Sequence, residues 1–573
     1  MQAKGARGRK VFFPAAVLAT ILFFVSASHG NAADLASAPG DSPASAGVAG
    51  RAMELAGTLE VRVADYARRS RTRYFLTMPS GRRIRLHFAK HPPTNLLTGD
   101  RVVVQGARLA DGSLMLASGT TNHIKGKPQQ PQQPAPSAVL PNTLGAQSTL
   151  VMLVNFQDDP SNQPYTVADA DSTVFTTGSS FFMENSYQQT WLTGDVVGWF
   201  TIPLSSTSCD TASIASDAQA AATAAGVDLS AYSHYVYAFP QNNNCGWAGS
   251  SSIGGSPSQT WINGTNGSGS LDVHIVDHEL GHALGLYHSH LLDCGTGATI
   301  GSNCNVIEYG DILDTMGAPQ TPSPEYNAFQ KERLGWLNYG ASPSITAVQS
   351  SGTYILDAYE LDGSGPNALK ILKSIDPTTG AQSWYYVEAR QAVGFDAFIA
   401  NQPSENETDG VLVHIGTDGD GNSGDLLDMT PATPTYDWAF DPSLVTGQSF
   451  VDPTSGLMLT TTWVTSTQAA VTVQFTAGLA VATGQQSYSR GQTVSITAMA
   501  TAGGSPAAND SVKFTITKAN GSVATGSATT DSNGTAVYKL KLGRRDPSGT
   551  YQVSAAATID GTSASAATSF AVQ

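Results

Sequence analysis

Residues 278–288 read HELGHALGLYH, and this stretch sets the terms for the rest of the chain. If it is helical to about Gly285, His278 and His282 stand four residues apart and project from one face, one turn above the other, as two nitrogen ligands of one metal ion. Glu279 is offset by about 100° on the same helix, so it stands beside the metal as a base and not as a ligand. Gly285 can take the left-handed conformation that ends a helix and turns the chain back, bringing His288 in as third ligand. Three imidazoles at this spacing suit zinc, with a fourth position left for water.

The neighbours of the stretch fit a real helix. Ser270 is expected to cap it, Asp272 sits in the first turn, and Ile275, Val276, Leu280, Ala283 and Leu284 supply an apolar side. His274 lies one turn before His278. It cannot share an ion with His282, because eight helical residues rise about 12 Å. His274 and His290 are therefore read as neighbours of the site.

Working outward, Cys209, Cys245, Cys294 and Cys304 all fall in the segment around this motif. In an exported chain they favour disulfides over metal ligation. Three pairings are open; Cys209 with Cys245 and Cys294 with Cys304 is preferred, the second closing a short loop after the histidines. Residues 309–317, YGDILDTMG, follow.

HELGHALGLYH followed by YGDILDTMG is similar to the metzincin zinc peptidases, whose zinc motif precedes a methionine-containing turn, and Met316 matches that turn. SYQQTWLTGDVVGWF (186–200), YAFPQNNNCGWAG (237–249), HIVDHELGHALGLYHSH (274–290) and EYGDILDTMG (308–317) resemble the gametolysin-like branch over 147–340. The resemblance implies a secreted zinc metalloendopeptidase acting on extracellular proteins. Glu279 would take a proton from water and hand it to the leaving amine. It implies one catalytic zinc ion and a protein or peptide substrate. Two departures stand out: no tyrosine lies two positions after Met316, and GGxGxD calcium repeats are absent. No cysteine precedes Cys209, which excludes a cysteine-switch propeptide.

The N-terminus carries Lys4, Arg7, Arg9 and Lys10, then an apolar run over 11–25 and small residues to Ala32, the pattern of a secretory signal. Residues 1–32 are read as that signal, which places the mature protein outside the cytoplasm, extracellular or periplasmic, with no membrane span. Residues 33–50 form a small-residue lead-in. Residues 33–124 are read as an N-terminal β-rich propeptide domain, whose short alternating runs from 51 to about 119 (LEVRV, RYFLTM, RIRLHF) are expected to build a small barrel or sandwich. Between 51 and 110 there are twelve basic against four acidic side chains, while the whole chain carries −15. This asymmetry suits a propeptide that docks on an acidic catalytic domain, or equally a solvated arginine-rich face. The net negative charge excludes a nucleic-acid partner.

Residues 125–146 form a Pro/Gln-rich linker, 147–340 the peptidase domain, 341–476 a second β-rich domain, and 477–573 a sandwich resembling bacterial Ig-like modules. The last implies a spacer or a contact with a cell surface or matrix. GTDGDGNSGDLLDM (416–429) admits a calcium ion, but Ser423 and Met429 depart from the EF-hand pattern and a solvated loop is preferred. The stretch 245–264 is too Gly-rich for regular structure and is read as a wall of the cleft or, equally, as a plain surface loop. The expected fold is multidomain α+β, with a metzincin-type mixed α/β catalytic domain flanked by β-barrel and β-sandwich domains. The competing functional reading is a cell-surface or matrix-binding β-module protein with an idle metal scaffold, which would not need Glu279.

Overall fold

The computed structural model describes residues 53–573 apart from 90–91, 117–138, 266–268, 302, 318–322, 339–342, 377–378, 402–405, 434–440 and 503–504. The signal segment (1–32), the lead-in and linker residues 125–138 lie outside the described residues.

The alternating runs after residue 53 close into a five-stranded barrel. Met53–Tyr66 pairs antiparallel with Arg101–Arg108 and with Arg73–Thr77, and Arg83–Phe88 and Leu114–Leu116 complete the ring. Period-two alternation turns Leu59, Val61, Val63, Leu76, Leu86 and Val104 into one core. Part of the basic charge is satisfied locally, since Arg62 and Arg83 both pair with Glu60.

The first strand does not end with the barrel. Its last residues, 62–65, pair antiparallel with Gly249–Ser252, so barrel and peptidase segment share one 11-stranded sheet. Beyond Gly249–Ser252 the order is Ser258–Asn263, His234–Phe239, Gly145–Phe156 and Thr190–Ile202, these four running parallel to one another. Gly145–Phe156 is buried on both sides. Val151 and Leu153 face the core that contains Val276 and Leu280 of the histidine helix, while Leu150, Met152 and Val154 face Ile214 and Ala218 of helix Thr211–Ala224.

This architecture corrects the expected fold class. The molecule is multidomain, but 46% of the described residues are strand and 13% helix, so it is a mostly β structure of barrel and sandwich sheets and not a metzincin-type mixed α/β fold. The physical reason is visible in particular segments. NAFQKERLGWL yields only the six-residue helix Ala328–Arg333, cut off by Gly335 at φ 74°. The Gly-rich wall expected to be irregular instead supplies the strands Gly249–Ser252 and Ser258–Asn263, because serine and glycine allow its neighbours to approach closely.

After His288 the chain enters strand Ser289–Asp293, which pairs with Asn305–Ile307 and, in parallel, with Asp420–Leu427. The second β block therefore shares an eight-stranded sheet with the chain that leaves the metal motif, across the expected boundary at 340. A four-stranded sheet built from Gly352–Asp357, Gln468–Phe475, Leu457–Val464 and Ser449–Asp452 packs on it through Leu369, Val387, Val413, Leu459 and Val471. GTDGDGNSGDLLDM is a hairpin between Gly410–Thr417 and Asp420–Leu427. Two of its carboxylates are engaged by side chains from other segments: Trp384 Nε1 donates to Asp418, and Thr94 Oγ1 to Asp420. Residues 478–573 form a separate two-sheet sandwich around Val494, Phe514, Tyr551 and Phe570.

No helix among the described residues is long and apolar enough to cross a membrane.

Candidate metal centre

The helix carrying the first two histidines spans Val273–Ala283, and its N-cap is Asp272, whose side chain accepts from the amides of His274 and Ile275. Asp272 takes the place expected of Ser270. The helix ends as the sequence anticipates. Gly285 adopts φ 106°, its amide and that of Leu286 bond back to His282 O and Gly281 O, and the chain reverses toward His288.

Each imidazole is oriented through its Nδ1. That of His278 lies 2.7 Å from Thr315 O, that of His282 2.8 Å from Leu286 O, and that of His288 2.8 Å from Glu308 Oε1. With acceptors at all three Nδ1 positions, the proton belongs there and every Nε2 lone pair turns inward. The three Nε2 atoms converge, those of His282 and His288 lying 3.1 Å apart.

A fourth group closes the cluster, and it comes from the N-terminal barrel. Asp65 Oδ1 lies 3.0 Å from His288 Nε2, and Oδ2 lies 3.4 Å from His282 Nε2 and 3.6 Å from His278 Nε2. Among the described residues, Asp65, His278, His282 and His288 are the group able to hold a metal ion. The donor set fits zinc. Tetrahedral ligands about 2.0–2.1 Å from one ion lie about 3.3 Å from each other, close to the spacings observed. Buried His278 Nε2 and Asp65 Oδ2 have no hydrogen-bond partner, as atoms reserved for a cation would.

Glu279 is 1% exposed, and its Oε2 also lacks a partner. Burial, then the Asp65 carboxylate, hold its pKa well above the usual carboxylate range. Its side chain lies against Gly249, where any Cβ would collide with the carboxylate. A cavity of about 110 Å³ opens beside it, lined by Tyr66, Ala67, Ala248, Ile275, Tyr309 and Gly317.

Met316 is fully buried under the helix. A Cβ on Gly281 would come within 2.5 Å of Met316 Sδ and 2.8 Å of Tyr326 Oη, so the glycine inside the motif lets this turn pack. The turn is held by Asp314, which accepts from Met316 N, and by Arg390 of the second β block, whose guanidinium donates to Leu313 O and Glu325 O. Arg390 in turn pairs with Glu388 and Asp396, all fully buried.

His274 lines the cavity, its pKa pushed down to about 3 by burial and by His278. His290 lies between Glu308 and Asp425, each 3.4 Å away. Both histidines stay outside the converging set. The cysteines form Cys209–Cys245 and Cys294–Cys304.

Sequence reasoning did not find Asp65, Glu308 or Tyr309. Glu308 and Tyr309 adjoin the YGDILDTMG stretch and could have been singled out from it. Asp65, far upstream, carries no local signal.

No curated protein matches the chain. Among solved structures it is similar to the sporulation control protein Spo0M from Bacillus subtilis (14% identity, 17% of this chain and 49% of that chain, TM-score 0.13). It is also similar to the D00-D0 domain of Intimin (15% identity, 41% of this chain and 98% of that chain, TM-score 0.15). The chain thus spans about half the length of the first, and scores this low carry no argument about fold or function. Residues 171–406, a span that holds His278, Glu279, His282, His288 and Met316 and runs on into the second β block, match the model of gametolysin peptidase M11, a metallopeptidase family, which supports a gametolysin-like peptidase domain in this chain.

Proposed function

We propose that the protein is an exported zinc endopeptidase that hydrolyses peptide bonds of extracellular proteins, with Glu279 as general base. The observation that carries this reading is the convergence of three Nε2 atoms, each fixed through its Nδ1, beside a buried carboxylate that is not one of the converging group. Zinc, when bound, supplies the Lewis acidity that polarises a peptide carbonyl and makes water nucleophilic near neutral pH. His278, His282 and His288 would hold the ion. Glu279, buried and one residue after His278, accepts the proton of the attacking water and delivers it to the amine nitrogen, which cannot leave as an anion. Gly249 keeps the main chain close enough for a peptide to lie beside that carboxylate. A peptidase implies a protein or peptide substrate. An idle metal scaffold would leave the burial of Glu279 without purpose. The C-terminal sandwich is assigned to spacing or to contact with a cell surface or matrix, as an Ig-like module would be.

The test is Glu279→Gln. Casein hydrolysis should fall by at least about a hundredfold, with one equivalent of zinc retained. A zinc-loaded Glu279→Gln protein as active as its parent would remove the assignment.

A further inference from the structure

We infer that strand Met53–Tyr66 is a built-in inhibitor of the peptidase site, with Asp65 as a fourth metal ligand that keeps water and substrate out. The inference rests on the metallopeptidase reading above and adds its regulation.

Three independent features of the strand support it. The first is the position of its carboxylate. Asp65 reaches 3.0–3.6 Å from all three Nε2 atoms, where the fourth ligand of a tetrahedral set belongs. Tyr309 Oη donates to Asp65 Oδ1 at 2.8 Å, so the carboxylate is held from two sides.

The second is the main chain. Residues 62–65 pair antiparallel with Gly249–Ser252, placing Asp65 opposite Gly249, and Ala248 N donates to Asp65 O at 3.1 Å. Gly249 is the residue against which Glu279 packs. Without this strand, Gly249–Ser252 would be a free sheet edge running past the general base, and an extended peptide adds to such an edge through main-chain hydrogen bonds. The strand therefore lies where a substrate would lie. It presents a side-chain carboxylate to the imidazoles, while its own peptide carbonyl is tied to Ala248 and directed away from attack.

The third is the anchoring. Arg62 stacks over Trp261 at 4.1 Å and donates to Thr211 Oγ1, Ser70 Oγ donates to Glu308 Oε1, and Thr98 N bonds Ile253 O. Tyr287 and Ile253 of the peptidase segment are buried in the barrel core itself. Ser70 thus engages the same Glu308 that orients His288, and Tyr66 and Ala67 wall the cavity beside Glu279. Charge agrees with this arrangement: a divalent ion among three neutral imidazoles needs an anionic partner when it is buried.

The test uses the full chain loaded with cobalt(II), whose visible absorption reports its ligands, with azide as a small probe for an open position. In the parent protein the spectrum should not respond to azide. In Asp65→Asn and Asp65→Ala it should shift on addition of azide, and casein hydrolysis by the intact chain should rise at least about tenfold. Thermal melting checks that each variant is folded; two variants of different size keep the result independent of either one. A parent spectrum that responds to azide as strongly as both variants overturns the inhibitor assignment. Azide access gained without any hydrolysis supports Asp65 as a ligand and places the remaining block in the main-chain pairing of residues 62–65 with Gly249–Ser252; the peptidase reading is tested separately by Glu279→Gln.

Discussion

Tyr309 Oη donates to Asp65 Oδ1 at 2.8 Å while the Tyr309 ring lies 4.5 Å from that of His288. The phenol thus supplies a hydrogen bond to whichever oxygen occupies the point where the imidazoles meet. In the proposed reaction, removal of the Asp65 side chain lets a peptide carbonyl oxygen come to the same place, where it accumulates negative charge during attack. In an Asp65→Ala background, Tyr309→Phe should lower kcat by about a hundredfold, the usual loss for one oxyanion donor, with KM nearly unchanged. Steady-state kinetics on a peptide substrate decide it, and an unaltered kcat would remove Tyr309 from the reaction.

The converging Nε2 atoms separate the proposed ligands from bystanders. His278→Ala should weaken zinc retention by more than about a hundredfold, measured by competition with a chelator. His274→Ala should still bind one equivalent, because His274 lines the cavity outside the converging group.

Arg390 ties the turn bearing Met316 to the second β block. Arg390→Ala removes the guanidinium paired with buried Glu388 and Asp396 and frees Leu313 O and Glu325 O. The cost should be about 3–5 kcal/mol, read as a lowered denaturation midpoint. Zinc affinity should fall with it, since Thr315 O orients His278.

His234 is buried between Ser258 Oγ (2.7 Å) and Gln147 Oε1 (3.0 Å), and burial pushes its pKa down to about 4. The folded state therefore holds it neutral. Below its ordinary value of 6.5 the unfolded chain takes up the proton first, so stability is full above pH 6.5 and declines as pH falls from 6.5 to 4. The depression amounts to about 3 kcal/mol across that window. His234→Gln should flatten this part of the stability profile in urea titrations at pH 4.5 and 7; an unchanged slope would show that His234 is not the responsible group.

The local parts of the site were legible because their chemistry is local. Helical spacing sets His278 and His282 on one face, and only a residue without Cβ readily takes φ 106° at 285, so the turn to His288 follows from HELGHALGLYH alone. Asp65 could not be read, because its role depends on a strand register, Asp65 opposite Gly249, that brings together segments far apart in the chain. The overall balance of strand over helix was misjudged for a related reason. Runs such as GSSS and SQTWIN carry little periodicity of their own and become strands only because partners on both sides pair with them.

The parallel pairing of Ser289–Asp293 with Asp420–Leu427 bears on how this protein can be cut, shuffled or inherited. The residue after the third histidine is already hydrogen-bonded into the later sheet, and Arg390 reaches back to the turn that steadies the first. A fragment ending near 340 would leave Ser289–Asp293 open along one edge beside the motif and lose the guanidinium beneath it. The smallest piece that can serve as an expression unit, or travel between genes as a working cassette, therefore extends through the second β block, whereas the sandwich from 478 onward is free to be exchanged.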